Sequence, residues 1–255
     1  MSSRTWTPGA LSSEARALSA SCWRAVEAQH QVSTLKLVDT VEEQAVLERL
    51  VEQSKPAVPP ECRHLDYLLS TPFRYGAPYP RGSRFRLPGM TPGVYYASEK
   101  AETAIAEMAF HRLLFFAESP HARWPTNAGE YTVFAASFRT RRALDLTHPP
   151  LDRDRAQWGH PTDYSACQAL AETARSASIQ VLRYESVRAP HEGINLALLV
   201  CGVFTSKAPT RRQTWRIRVA ASGAQAICEF PRLRLDFGRD SFASDPRIAG
   251  LNWDR

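Results

Sequence analysis

The second half of this chain is dominated by apolar runs too short for helices, and that pattern sets its fold class. Residues 179–187 and 195–204 are strand-like runs, and residues 214–221 and 224–230 flank Ser222-Gly223 as a hairpin. Residues 93–97, 131–138 and 143–147 also read as strands, and residues 21–26 as a short one. Helical periodicity appears at residues 41–53, where Ala45, Leu47, Leu50 and Val51 share the inward stripe. It returns at residues 98–116, with Ser98 as cap and Glu99 and Glu102 in the first turn, and at residues 164–175 after Pro161-Thr162-Asp163. Strands outnumber helices and do not alternate regularly with them. The expected class is α+β, with a mixed or antiparallel sheet core and flanking helices, not a doubly wound sheet.

With 255 residues, 44% hydrophobic and 23% charged, the chain suits one globular domain with a sizeable core. Within it, residues 1–60 read as a strand plus helical extension ending in the stiff connector Lys55-Pro56-Ala57-Val58-Pro59-Pro60. Residues 66–205 carry the core and the site motifs, and residues 206–255 a C-terminal hairpin and tail. No apolar run approaches the roughly 18–20 residues of a membrane span, so no membrane partner is expected. The N-terminus lacks the apolar stretch of a signal peptide, and the expected location is cytoplasmic. Cys22, Cys62, Cys167, Cys201 and Cys228 show no CxxC spacing, which argues against a disulfide framework and a structural zinc site. Cys201 and Cys228 read as core fillers, and none of the five reads as a nucleophile.

A net charge of +6 and a pI near 9.2 permit an anionic partner without naming one. Only Lys36, Lys55, Lys100 and Lys207 are lysines among the 32 basic residues, a bias that high-GC codon usage explains better than a preference for forked guanidiniums at phosphate sites does.

Residues 72–116 concentrate the chemistry. A basic turn (Arg81, Arg84, Arg86) precedes an aromatic strand end (Tyr95, Tyr96) and a helix carrying Glu107. Arginine forks hold phosphates, aromatic rings stack on flat heterocycles, and a carboxylate stabilises developing positive charge. Together they describe a site for a nucleotide whose glycosidic bond is broken. Glu107 falls beside the stripe of Ile105, Met108, Ala109 and Phe116, on the flank of Ala104 and His111. The Glu107–His111 spacing has no third ligand, so no metal is expected. Tyr95 and Tyr96 point to opposite faces of a strand, so at most one serves the site. Ser165 stands in the first turn of a helix, where free amides favour an anion. Arg183, Ser186 and Arg188 end one strand and Asn195 begins the next, as polar groups at strand ends.

The blocks CWR (22–24), PFRYGAPYPRGSRFR (72–86), GVYYASEKAETAIAE (93–107), DYSACQA (163–169) and YESVRAPHEGINLALL (184–199) together resemble the RES domain. This is the toxin half of bacterial toxin–antitoxin modules whose antitoxin is of the Xre type. Residues past Lys207 and most of the first 60 lie outside these blocks. The resemblance places the family's first arginine on Arg24, its turn arginine on Arg84, its glutamate on Glu107 and its serine on Ser165. Its tyrosine falls on Tyr96, with Tyr95 fitting the strand block nearly as well. Many relatives read GRWN where this chain reads SRFR, so Arg86 replaces a small polar residue.

The resemblance implies a fold like that of ADP-ribosylating toxins and an NAD+-consuming activity, by phosphorolysis or hydrolysis of the nicotinamide–ribose bond. NAD+ is then substrate, with no further cofactor and with inorganic phosphate as a co-substrate. Glu107, Arg84 and Tyr96 form the expected catalytic set. Arg24, Arg84, Tyr95, Tyr96, Ser165, Ser186 and Asn195 form the expected NAD+-binding set. The implied partner is an Xre-type antitoxin that fills the cleft, with nucleic acid touched only through it. Protein ADP-ribosyltransfer at the same site is the alternative. A nucleic-acid-binding protein or RNase is the distant one, resting on the Arg–aromatic interleaving of SRFR, TWRIR (214–218) and PRLRLDFGR (231–239).

Overall fold

Residues 6–28, 37–74, 80, 82–189 and 192–254 are described by the computed structural model. In chain order the regular elements are α1 (Pro8–Glu14), β1 (Arg16–Glu27), α2 (Val41–Ser54), α3 (Tyr67–Ser70), β2 (Tyr95–Ser98) and α4 (Ala101–Ala117). There follow β3 (Gly129–Asp145), α5 (Arg155–Trp158), α6 (Ser165–Ser176), β4 (Val181–Glu185) and β5 (Ile194–Leu198). The chain ends in β6 (Arg211–Ala220), β7 (Gly223–Cys228), β8 (Leu233–Gly238) and α7 (Pro246–Ala249). Short 3-10 turns link several of them. The class is α+β, as the strand-rich pattern predicts.

The strands follow the order β1-β2-β5-β4-β3-β6-β7-β8, and β1 also pairs with β3. That extra pairing closes a circuit of five strands, β1-β2-β5-β4-β3, from which β6, β7 and β8 extend as a meander. Only β3 and β4 run parallel; the other pairings among the described residues are antiparallel. The circuit is joined at β1–β2 by a single register pair, Trp23 with Ser98.

Period-two alternation sorts the side chains of this circuit into an inside and an outside. Cys22, Tyr95, Ala97, Phe134, Ala136, Val181, Leu196 and Leu198 converge in one buried cluster, to which all five strands contribute. Outside, α4 covers Trp23, Val133, Ala135 and Trp215, and α6 covers Phe85, Leu144, Leu182, Tyr184 and Ala197. The two helices therefore pack on the outer surface, and the polar residues that interrupt their cover mark the site.

Several local expectations are corrected. The strands expected at 131–138 and 143–147 are one continuous β3, because β1 pairs along its whole middle. Ser98 does not cap α4. The N-cap is Lys100 without a side-chain bond, while the Ser98 hydroxyl donates to Asn195 Oδ1 at 2.7 Å. Nor does Glu99 serve the first turn; it accepts from Arg183 Nε at 2.7 Å. Helix α2 forms where expected, closed at its start by a Thr40–Glu43 capping box. Yet the expected inward stripe is mostly turned to solvent: Ala45, Leu50 and Val51 are exposed, Leu47 is half-buried, and Gln44 is the buried residue of the helix. Finally, Cys62 and Cys201 form a disulfide. The absence of a spacing motif concealed it, because tertiary packing brings the two 3-10 turns together. No helix among the described residues is long and apolar enough to cross a membrane.

Candidate active site

Glu107 is held by two neutral donors on one oxygen. Ser186 Oγ and Asn195 Nδ2 each donate to Glu107 Oε1 at 2.6 Å. Oε2 accepts no hydrogen bond among the described residues. The donors come from different elements. Asn195 is the second residue of β5 and is buried, and its Oδ1 accepts the Ser98 hydroxyl, so the amide orientation is fixed from β2. Ser186 follows β4, and its amide donates to the Gly193 carbonyl at 2.8 Å. A side chain at Gly193 would place Cβ 2.5 Å from Ala189 Cβ and 2.8 Å from Thr103 Cγ2 on α4. Glycine is what lets this loop lie close enough for Ser186 to reach Glu107.

The arginine turn is built on the same outer surface. Gly82, with φ +65, enters a two-bond turn in which Ser83 and Arg86 exchange backbone hydrogen bonds at 2.8 and 3.2 Å. Gln168 Nε2 of α6 donates to the carbonyls of Ser83 and Arg86 at 3.1 and 3.3 Å. Tyr96 OH shares a 2.8 Å hydrogen bond with Ser83 Oγ and accepts the Phe85 amide at 2.8 Å. Phe85 is fully buried, edge-on to Tyr184 with ring centroids 4.8 Å apart. Arg84 is also buried. Its Nη1 donates to the Trp158 carbonyl at 2.6 Å, and its guanidinium lies 4.6 Å from the Tyr164 ring centroid. Arg86 turns away to Thr91, donating to its carbonyl at 2.9 Å.

Tyr184 connects the turn to the carboxylate. It pairs in register with Asn195, so both face outward. Burial pushes its phenol well above the ordinary value, and the nearby Glu107 charge pushes it further the same way, with Arg84 opposing. Nothing in the residue pattern singles out Tyr184 beyond its place in a strand ending in polar residues.

Of the residues expected from sequence, the structure gathers Glu107, Ser186, Asn195, Tyr96 and the Arg84 turn on one surface. Arg24 and Tyr95 lie on the other side of the strands. Arg24 sits 5.1 Å from the Tyr95 ring centroid, and its Nη1 donates to the Tyr96 carbonyl at 2.6 Å. Burial lowers the Arg24 pKa from its ordinary value and pushes the neighbouring Cys22 thiol up to about 12. This places Arg24 as a brace for β2 from within the strand circuit. Ser165 is exposed at the start of α6, and its amide takes the Asp163 carboxylate at 2.9 Å. One free amide of the helix start is thereby occupied by the chain itself, and Ser186 supplies the serine beside Glu107. Arg81 lies outside the described residues.

No match to a curated protein was found. Among solved structures, the chain is similar to one described as the crystal structure of the M. tuberculosis MbcT–MbcA toxin–antitoxin complex. That match has 15% identity and a TM-score of 0.44, covering 82% of this chain and 92% of the other. The model of the RES domain matches residues 58–220, a span that holds Arg84, Tyr96, Glu107, Tyr184, Ser186 and Asn195. With well over half its length matched, and with those residues gathered on one surface, this chain belongs to the RES-domain family.

Proposed function

We propose that this protein is the toxin of a toxin–antitoxin module and that it cleaves the nicotinamide–ribose bond of NAD+. Family membership supports the toxin reading. The observation that carries the chemistry is the Glu107 carboxylate, fixed through Oε1 by Ser186 and Asn195 with Oε2 left for a ligand.

In this reading the C1′–N bond of the nicotinamide riboside breaks, and its electron pair neutralises the departing pyridinium. Positive charge develops on the ribose ring, and the ionised Glu107 stabilises it without being consumed. An oxygen of inorganic phosphate then bonds to C1′, giving ADP-ribose 1-phosphate; water in its place gives ADP-ribose and a proton. The two neutral donors on Oε1 hold the carboxylate in one orientation and spare it any need to rotate as charge develops. The Arg84 turn supports binding of the pyrophosphate, and the Tyr96 hydroxyl keeps that turn in place. An Xre-type antitoxin filling the cleft would silence the enzyme.

The test is NAD+ consumption by purified chain in phosphate and in phosphate-free buffer, beside Glu107→Gln. Loss of NAD+ that requires phosphate and disappears in the variant identifies a phosphorylase; loss in both buffers, with free ADP-ribose, identifies a hydrolase. Label transferred from NAD+ to a macromolecule would replace this reading with ADP-ribosyltransfer. Intact NAD+ in both buffers and with cell extract would overturn it.

A further inference from the structure

The family match ends at residue 220, yet the chain continues through β7, β8 and α7 and returns to the site. Phe242, Ile248 and Leu251 of this segment are buried in the cluster beneath α4. Phe242 packs edge-on to Phe110 of that helix, with centroids 5.7 Å apart. Between them stands Asp245, the N-cap of α7, whose carboxylate is fully buried.

Asp245 holds two arginines. Its Oδ2 lies 3.0 Å from Arg188 Nη2 and 2.8 Å from Arg247 Nη2. Arg188 is itself buried, pressed over the Phe110 ring at 3.9 Å, and its Nη2 also donates to the Pro161 carbonyl at 2.6 Å. Its Nη1 is buried with no hydrogen-bond partner among the described residues. A guanidinium this enclosed stays in place only with a fixed counter-ion, and Asp245 is the carboxylate paired with it among the described residues. The backbone leads directly from this anchor to the site: the Arg188 and Ala189 amides donate to Ser186 Oγ at 3.2 and 2.9 Å. That hydroxyl in turn donates to Glu107. On the other side, Arg247 interacts with Tyr164, the ring under the Arg84 guanidinium.

We infer that Asp245, supplied by a segment beyond the matched family region, is a positioning residue: by clamping Arg188 it fixes the Ser186 loop against Glu107. Residues 221–254 are therefore part of the catalytic architecture and not a passive tail. The inference rests on the reading of Glu107 given above for its activity readout, and on geometry alone for its structural one.

The experiment compares full-length wild type, Asp245→Asn and Asp245→Glu by NAD+ turnover and by hydrogen exchange with mass spectrometry. Asp245→Asn is expected to lower kcat tenfold or more, with a change in KM of threefold or less. Amide exchange should rise in residues 184–189 while β3 keeps wild-type protection. Asp245→Glu keeps the charge and should lose less, about threefold in kcat. A folded Asp245→Asn protein with wild-type kcat and wild-type exchange at 184–189 would overturn the inference. So would an exchange increase spread evenly over the chain, which would mean bulk destabilisation. Should Asp245→Asn fail to fold, Asp245→Glu decides: turnover and exchange indistinguishable from wild type reject the positioning role. A wild type that leaves NAD+ intact rejects the NAD+ reading only, and the exchange comparison then settles the clamp by itself.

Discussion

Asn195 Nδ2 stands 2.6 Å from Glu107 Oε1 although the two residues are 88 positions apart in sequence. The amide cannot rotate to offer its oxygen, because Asn195 Oδ1 already accepts the Ser98 hydroxyl at 2.7 Å. The order Ser98–Asn195–Glu107 thus carries a donor direction from β2 through β5 to α4, and it holds the carboxylate in one orientation.

Removing that donor tests the chain of bonds. Asn195→Ala should lower kcat for NAD+ loss by about 10- to 100-fold, the scale of one lost bond to a charged group of roughly 1.5–3 kcal/mol. Ser98→Ala should cost less, since it frees the amide without deleting it. Steady-state kinetics on the two variants check the ordering; equal losses would show that orientation of the amide is the whole effect.

Tyr96→Phe removes the hydroxyl that meets both Ser83 and the Phe85 amide. With Phe85 packed against Tyr184 the turn should survive, but Arg84 should be less well placed. The expected outcome is a KM for NAD+ raised severalfold with kcat changed less, and a stability loss of about 1–2 kcal/mol for the deleted bonds. Kinetics together with urea melts measure both.

The Cys62–Cys201 disulfide closes a sequence separation of 139 residues. It ties the segment before β2 to the turn after β5, close to the inner cluster. Reduction, or Cys62→Ser with Cys201→Ser, should lower unfolding free energy by about 2–5 kcal/mol. Comparing urea melts with and without reductant checks this; a wild-type midpoint that ignores reductant would mean the pair is not bonded in solution.

Asp245 predicts an acid-dependent loss of stability. Burial raises its carboxyl pKa, but the hydrogen bonds and charge of Arg247 and the charge of Arg188 outweigh it and hold the pKa below the usual carboxylate value. A folded-state pKa lowered in this way contributes stability that is complete above the unfolded value of about 3.9 and is lost as pH falls through the folded one. The stability difference between wild type and Asp245→Asn should therefore be constant from pH 7 to about 5 and shrink below pH 4. Chemical denaturation across that range measures it.

The sequence by itself determined the strand-rich α+β class, the hairpin at Ser222-Gly223, the helix carrying Glu107 and the family to which its motifs belong. These are local matters: period-two and period-3.6 patterning, turn residues and residue spacing are written along the chain. It also placed Tyr95 and Tyr96 on opposite faces, because alternation is a property of any strand. What it could not express is which face is which. That was decided when β1 paired with both β2 and β3 and closed the five-stranded circuit, turning Arg24 and Tyr95 inward and Tyr96 outward. In the same way, Ser186 and not Ser165 came to Glu107 because the Gly193 loop packs against α4. Asp245 reached Arg188 only because the C-terminal segment folds back over Phe110. Each of these pairs residues far apart in sequence, and their meeting depends on the burial of whole elements, for which no single stretch of residues carries the signal.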